Sequence, residues 1–145
     1  MIGIYIGAPI DTALGDVSAP FQKIISILDA TLARYVVFNP LTTYNNATKA
    51  NLVSGSYLVD VNMYALERAE LAVFLVNDSP SVGLPIEIYK SKKDNKKFIV
   101  LYDASRDPGV YLKNLTDGGN GVLIDLREGD QIPKLEEIFR QWRFR

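Results

Sequence analysis

The residues best suited to chemistry lie in the stretch Ser81-Val-Gly-Leu-Pro-Ile-Glu87, which closely follows the apolar run 71–76. A carboxylate just beyond a buried strand, behind a glycine that lets another molecule approach the backbone, is a common way to build a reactive acidic site. A first-turn glutamate that is merely stabilised by the helix dipole is the ordinary alternative. The pattern makes Glu87 the candidate reactive carboxylate and Gly83 the point of close approach.

The amino-acid composition narrows the chemistry further. The sequence contains neither cysteine nor histidine. This absence removes thiol nucleophiles, Ser-His triads and nearly every transition-metal site. We therefore expect carboxylates, hydroxyls, amides, Lys/Arg side chains or backbone groups to act without a metal ion or cofactor.

Length and charge bound the class of protein. A chain of 145 residues with 48% hydrophobic residues predicts one domain, 1–145, with a core of its own. The net charge of -1 gives no basic footprint for a nucleic-acid polymer. No apolar run approaches the ~20 residues that span a membrane, and no signal-type segment precedes the first strand, so we expect a cytoplasmic protein.

Short apolar runs alternate with helical patterns along the chain. The runs predict five strands, at residues 2–8, 35–38, 71–76, 98–102 and 121–126. Apolar residues at helical spacing predict helices after Ser18, from Ser54 or Ser56 to Ala69, and from Gly83 to about Lys93. A helical turn at 110–115 and a final helix after Pro133 follow, while 41–56 is polar and predicts a long loop. This alternation indicates an α/β fold whose five-stranded parallel sheet is covered on both faces.

In such sheets, ligands bind beyond the carboxyl ends of the strands. That rule collects one set of candidates around a single crevice: Asn39, Asp78, Ser81, Glu87 and Asp103. Tyr5 lies inside the first strand, where packing in the core is at least as good an interpretation as a site role. Its hydroxyl would still need a hydrogen-bonding partner.

The second helix places a polar residue, Asn62, on an otherwise apolar stripe. A buried amide must find partners, and a neighbouring backbone group is one way to satisfy it. Asp60 lies about 200° around the same helix at ~100° per residue, so we expect it to face solvent or a loop.

Three segments together resemble one known family. They are Ile4-Tyr-Ile-Gly-Ala-Pro9, the helix Asp60-Val-Asn-Met-Tyr-Ala-Leu-Glu-Arg-Ala-Glu70 that runs into Leu71-Ala-Val-Phe-Leu-Val76, and Pro80-Ser-Val-Gly-Leu-Pro-Ile-Glu87. In their order and spacing they are similar to the nucleoside 2-deoxyribosyltransferases, over most of residues 1–103. The small-Gly-x-x-x-Glu loop after a hydrophobic strand is the most specific part.

The resemblance implies a flavodoxin-like, Rossmann-like three-layer sandwich and cleavage of the N-glycosidic bond of deoxynucleosides or their 5′-monophosphates. By it, Glu87 matches the nucleophile that forms a covalent deoxyribosyl intermediate, and Tyr5 matches a tyrosine near that carboxylate. A carboxylate below the sugar stabilises an oxocarbenium-like centre, while a second acid protonates the leaving base. The expected substrate-binding residues are Ala8, Pro9, Asn39, Asn62, Asp78, Ser81 and Gly83.

Two positions depart from the family pattern. The family usually has an aspartate where Asn62 stands, and an amide cannot be a general acid. Asp60 or another carboxylate takes that role, the alignment slips by two residues, or Asn62 only hydrogen-bonds the base. At Ser81, the transferases of free nucleosides often have an acidic residue, whereas the monophosphate hydrolases resemble this chain in having Pro-Ser. A hydroxyl beside a helix N-terminus suits a 5′-phosphate.

Two classes of function therefore remain: an N-glycosidic transferase or hydrolase, and an inactive nucleotide-binding module on the same fold. In either case the expected partner is a small deoxynucleoside or deoxynucleotide. The resemblance also implies active sites completed by a neighbouring subunit. Trp142 and Phe144 add aromatic surface at the C-terminus, so we expect a homodimer or a larger homo-oligomer.

Overall fold

The computed structural model describes residues 1–9, 18–38 and 55–144. Two predictions concern residues outside these ranges. They are the binding residue Asn39 and the part of the predicted loop 41–56 that ends at residue 54. The elements in chain order are β1 (Ile2–Gly7), α1 (Ser18–Thr31), β2 (Tyr35–Phe38), α2 (Gly55–Arg68), β3 (Leu71–Val76), α3 (Gly83–Lys93), β4 (Lys97–Tyr102), α4 (Val110–Leu115), β5 (Gly121–Asp125), a 3-10 turn (Leu126–Glu128) and α5 (Ile132–Gln141).

The five strands form one parallel sheet in the order β2-β1-β3-β4-β5. This is the flavodoxin-like order, in which the chain reverses direction across the sheet between β1 and β3. Over the described residues, the predicted α/β class and the five-stranded parallel sheet are confirmed. The strands β1 and β5 end one residue before the sequence-based bounds, because apolar character continues into the turns that follow them. The strand β4 begins one residue earlier than predicted, since its backbone pairing with β3 includes the polar residue Lys97.

Helices cover both faces of the sheet, which gives three layers. One core layer lies against α1 and α5 and includes Ile4, Ile6, Ile24, Leu28 and Phe139. The other lies against α2, α3 and α4 and includes Tyr5, Leu66, Phe74, Leu84 and Ile88. Successive residues of a strand point to opposite faces, so β1 sends Ile4 and Ile6 to the first layer and Tyr5 to the second.

The C-terminal aromatic residues pack on their own chain. Trp142 and Phe144 are half-buried against the first core layer, with their ring centroids 6.0 Å apart. The ammonium of Lys97 lies 4.9 Å from the Phe144 ring centroid and donates to the Trp142 carbonyl. Much of the surface on which the oligomer prediction was based is therefore used within the chain, and the oligomeric state stays a prediction.

The helices that the structure describes are all too short or too polar to cross a membrane.

Candidate active site

Glu87 lies in the first half of α3, which begins at Gly83 just beyond the carboxyl end of β3. The predicted stripe of Leu84, Ile88 and Ser91 is buried, as expected. Glu87 itself is only 8% exposed, so it belongs to the buried face, whereas the spacing predicts it at the border of that face. The backbone of Glu87 also takes part in a side-chain contact, because its carbonyl accepts a hydrogen bond from the Ser91 hydroxyl over 2.9 Å.

The partner of Glu87 comes from the opposite end of the sequence. The Tyr5 hydroxyl donates to Glu87 Oε1 over 2.7 Å, and both side chains are buried. Burial, then the negative charge of Glu87 and the hydrogen bond to it, raise the pKa of Tyr5 well above its usual range. Tyr5 therefore keeps its proton across the ordinary pH range and acts as a fixed donor to the carboxylate.

Gly7 provides the space in which this carboxylate lies. A Cβ atom at Gly7 would stand 2.9 Å from Glu87 Oε2 and 2.5 Å from Phe74 Cδ1. Cβ atoms in proteins essentially never approach other heavy atoms within 3.0 Å, so these neighbours would have to move. Gly7 is not among the residues that the sequence predicts for the site. The available signal was the alternation of β1, which puts Gly7 on the same face of the sheet as Tyr5.

The residues after β1 contribute differently from the prediction. Ala8 is buried in the first core layer, on the side of α1, so its methyl group faces away from the layer that holds Glu87. Pro9 is also buried. Any contact that Ala8 makes with a substrate would therefore use its backbone.

Of the predicted residues between β3 and α3, Ser81 is held in the turn before the helix. Its hydroxyl oxygen accepts the Leu84 N–H over 3.2 Å, which leaves its own proton to be donated elsewhere. Gly83 is exposed, and a Cβ atom added there would meet none of the described residues within 4 Å. The backbone at Gly83 is therefore open to approach from that side.

The two aspartates at the strand ends have partners of their own. Asp78 Oδ1 accepts from the Ser105 backbone N–H (2.8 Å) and hydroxyl (2.9 Å), and these bonds lower the pKa of Asp78. Asp103 forms an ion pair with Lys23 of α1. The strand ends do meet at one edge of the sheet, but the described contacts of these two carboxylates are with Ser105 and Lys23 and not with Glu87.

Asp60 and Asn62 lie on α2, which packs against both β1 and α3. Asp60 is exposed and Asn62 is half-buried, in the orientations that the helical spacing predicts. The helix thus borders the two elements that supply Tyr5 and Glu87. It presents an amide, not a carboxylate, on its partly buried side.

Groups of three or more acidic side chains that could hold a metal ion do not occur among the described residues. The chemistry that this arrangement supports is that of one buried carboxylate, oriented by a tyrosine hydroxyl, at the ligand-binding edge of a parallel sheet.

Comparison with known proteins gives structural relatives only. No family model matches the chain, and no curated protein matches it by sequence. The 2-deoxyribosyltransferase of Bacillus psychrosaccharolyticus superposes with a TM-score of 0.64 at 15% identity, over 92% of this chain and 95% of that one. A conserved protein from Enterococcus faecalis V583 superposes with a TM-score of 0.66 at 18% identity, over 97% and 99% of the two chains.

The third structure is the Clostridium botulinum CMP N-glycosidase BcmB, with a TM-score of 0.58 at 17% identity, over 92% of this chain and 98% of that one. All three matches extend over nearly the whole of both chains, so the similarity is one of the overall fold. This chain has the fold of the 2-deoxyribosyltransferase and of the CMP N-glycosidase.

Proposed function

We propose that this protein cleaves the N-glycosidic bond of a 2′-deoxynucleoside or its 5′-monophosphate and transfers the sugar to another base or to water. The observation that carries the proposal is the buried hydrogen bond from Tyr5 to Glu87 Oε1 at the carboxyl edge of the sheet. Two structures with the same fold, a 2-deoxyribosyltransferase and a CMP N-glycosidase, support this type of reaction.

The proposed nucleophile is Glu87. Its carboxylate attacks C1′ of the sugar while the C1′–N bond to the base breaks, and a covalent glycosyl ester forms through an oxocarbenium-like transition state. Water or an acceptor base then attacks C1′ and releases the carboxylate. The reaction needs no oxidant and no reductant. An acid gives a proton to the departing base in the first step, and its conjugate base takes a proton from the attacking water or acceptor base in the second.

Tyr5 orients the nucleophile in this scheme. Its hydroxyl donates to Oε1 and is held by the tilted contact of its ring with Phe74, whose centroid lies 6.3 Å away. Because the raised pKa keeps Tyr5 protonated, the hydroxyl is a donor before and after the ester forms. This fixed geometry reduces the reorganisation that the transition state requires.

Asp60 on α2 is one candidate for the acid that protonates the leaving base. Asp60 has the required carboxyl group and is exposed, whereas Asn62 is half-buried and can only donate or accept hydrogen bonds. We propose that Asn62 binds the base and that Asp60, another carboxylate or solvent supplies the proton. An Asp60→Asn variant with unchanged turnover would remove Asp60 from this role.

The preference for a 5′-monophosphate rests on Ser81. Its hydroxyl oxygen accepts the Leu84 N–H, so its proton can be donated to a phosphate oxygen beside the N-terminus of α3. Gly83, with open space on its Cβ side among the described residues, lets the phosphate approach the backbone. We also propose Ala8, Pro9, Asn39 and Asp78 as further contacts with the substrate, and a homodimer or larger assembly.

A second function has one observation in its favour. Asn62 occupies the partly buried side of α2 where an acid would be most useful, and an amide cannot donate a proton to a leaving base. A chain of this kind could bind a nucleotide without cleaving it. Measured binding of a deoxynucleotide without release of base would favour this alternative.

The deciding experiment measures base release from dCMP, dUMP, dGMP, CMP and the free deoxynucleosides, with and without an acceptor base. Glu87→Gln retains the shape of the side chain and should abolish turnover while the protein stays folded. Rapid quenching of the wild-type protein should also trap a sugar ester on Glu87. Full turnover by Glu87→Gln, at matched stability, would refute the nucleophile assignment.

A further inference from the structure

A pocket of about 280 Å³ lies between α3 and α4, and Tyr5 and Glu87 are not among its lining residues. Its walls include Leu84, Ile88 and Leu112. At about 100° per residue around the axis of α3, the wall residues Leu84, Ile88 and Pro85 lie about 60°, 100° and 160° from Glu87. The pocket therefore lies beside the face of α3 that carries Glu87, on the side toward α4.

The lining of the pocket selects a kind of ligand. Apolar side chains dominate it, with Leu115 and Pro85 completing the walls, and the described residues that line it include no charged side chain. A charged molecule would lose its hydration here without gaining an ion pair. The volume is at or below the lower end of the roughly 300–1,000 Å³ typical of drug-sized ligands, which leaves room for one small ring system and not for a nucleotide.

Two further features favour an aromatic heterocycle. Tyr111 lines the pocket yet is 88% exposed, so its ring is available to stack on a flat ligand at the mouth. Asn77, Ser79 and Ser81 place hydrogen-bonding groups at the edge formed by the turn after β3. A ring with one or two polar atoms satisfies both the apolar walls and this polar edge.

We propose that this pocket binds a small, uncharged, planar heteroaromatic compound at a site next to that of Glu87, with Ser81 on the edge that the two sites share. Ser81 borders the pocket and also accepts the Leu84 N–H in the first turn of α3. The amide of Leu84 therefore reports on occupancy. The inference concerns binding alone and does not depend on whether Glu87 is a nucleophile.

The test titrates the full ¹⁵N-labelled chain with indole and follows the backbone amide shifts. Saturable shifts are expected at Leu84, Ile88 and Leu112, with a Kd at or below about 1 mM. Benzoate, a charged ring of similar size, should leave them unchanged. No saturable shift with indole, equal binding of benzoate, or shifts at Tyr5 and Gly7 in place of the pocket residues would overturn the proposal.

Two variants locate the site. Leu112→Trp should fill the pocket and abolish indole binding, whereas Val110→Trp, on the exposed side of the same helix, should bind as the wild type does. Should Leu112→Trp fail to fold, Tyr111→Ala changes an exposed residue and should weaken binding about threefold or more. Unchanged indole affinity in folded Leu112→Trp, or in Tyr111→Ala, contradicts the assignment.

Discussion

Replacing Gly7 with alanine tests whether the backbone of β1 sets the position of the nucleophile. The added Cβ would lie 2.9 Å from Glu87 Oε2 and 2.5 Å from Phe74 Cδ1, so at least one of these groups must move. Overpacking of a buried site costs about 1–3 kcal/mol of stability. A displacement of the nucleophile by about 1 Å can reduce turnover by ~10²-fold. We therefore expect a loss of stability of about 1–3 kcal/mol together with a ~10²-fold loss of kcat.

The assay compares kcat, KM and the free energy of unfolding in Gly7→Ala and Gly109→Ala. A Cβ at Gly109 meets none of the described residues within 4 Å and its φ is -72°, so this control should remain within about 0.5 kcal/mol of the wild type and keep full activity. The substrate is expected to bind Gly7→Ala with little change in KM, because the defect lies in the reacting carboxylate.

A double-mutant cycle separates the two clashes at Gly7. Phe74→Leu removes the ring that the new methyl group would strike but leaves Glu87 in place. If the displaced carboxylate causes the defect, Gly7→Ala should still reduce kcat in the Phe74→Leu background. Wild-type kcat in folded Gly7→Ala, or complete recovery in the double variant relative to Phe74→Leu, would refute the reasoning.

Substitutions at three other residues test the remaining contacts. Tyr5→Phe removes a hydrogen bond to the Glu87 carboxylate worth about 1.5–3 kcal/mol, so kcat for base release should fall by about tenfold or more; an unchanged kcat would deny Tyr5 an orienting role. Ser81→Ala should raise KM for a 5′-monophosphate about tenfold and spare the free deoxynucleoside, and Ser81→Asp should be worse on the monophosphate alone; equal losses on both substrates would mean that the hydroxyl only supports the turn. The Ser105 hydrogen bonds lower the pKa of Asp78, so the stability they give is present above the ordinary aspartate pKa and is lost as the pH falls below it. The difference in unfolding free energy between wild type and Asp78→Asn should therefore shrink from about pH 5 to about pH 3, and a constant difference would contradict the linkage.

The sequence predicted the elements well because its apolar periodicity is strong. The bounds of β2, β3 and α3 agree with the prediction, and α4 appears where one helical turn was expected. The central strands β1, β3 and β4 are buried on both faces, so they appear in the sequence as continuous apolar runs. The local sequence pattern was sufficient for these elements, because the apolar spacing within each segment distinguishes a strand from a helix.

The site was only partly accessible to the same reasoning. The strand-end rule gave the correct edge of the sheet for Asp103, but its carboxylate pairs with Lys23 on the α1 side. Residues just beyond a strand no longer follow the alternation of the sheet, so the face they select depends on the turn. The rule therefore locates an edge and leaves the partner undetermined.

The pairing of Tyr5 with Glu87 lay further beyond local pattern. Periodicity placed both near the core, and the resemblance set them in one site, but 82 residues separate them along the chain. Which two polar groups meet in a buried layer depends on the register of β1 with β3 and on the seating of α3. Gly7 was missed for the same reason, since its importance lies in what its Cβ would strike.

That separation has a consequence for how the protein acquires activity. The β1 strand is complete within the first residues of the chain, but the carboxylate that its tyrosine holds belongs to α3, much later in the sequence. Contacts of such long sequence separation form late, because a large loop must close before they contribute. Recovery of base release during refolding should therefore follow the docking of α3 on β1, and a chain that ended before α3 would carry the tyrosine without its nucleophile.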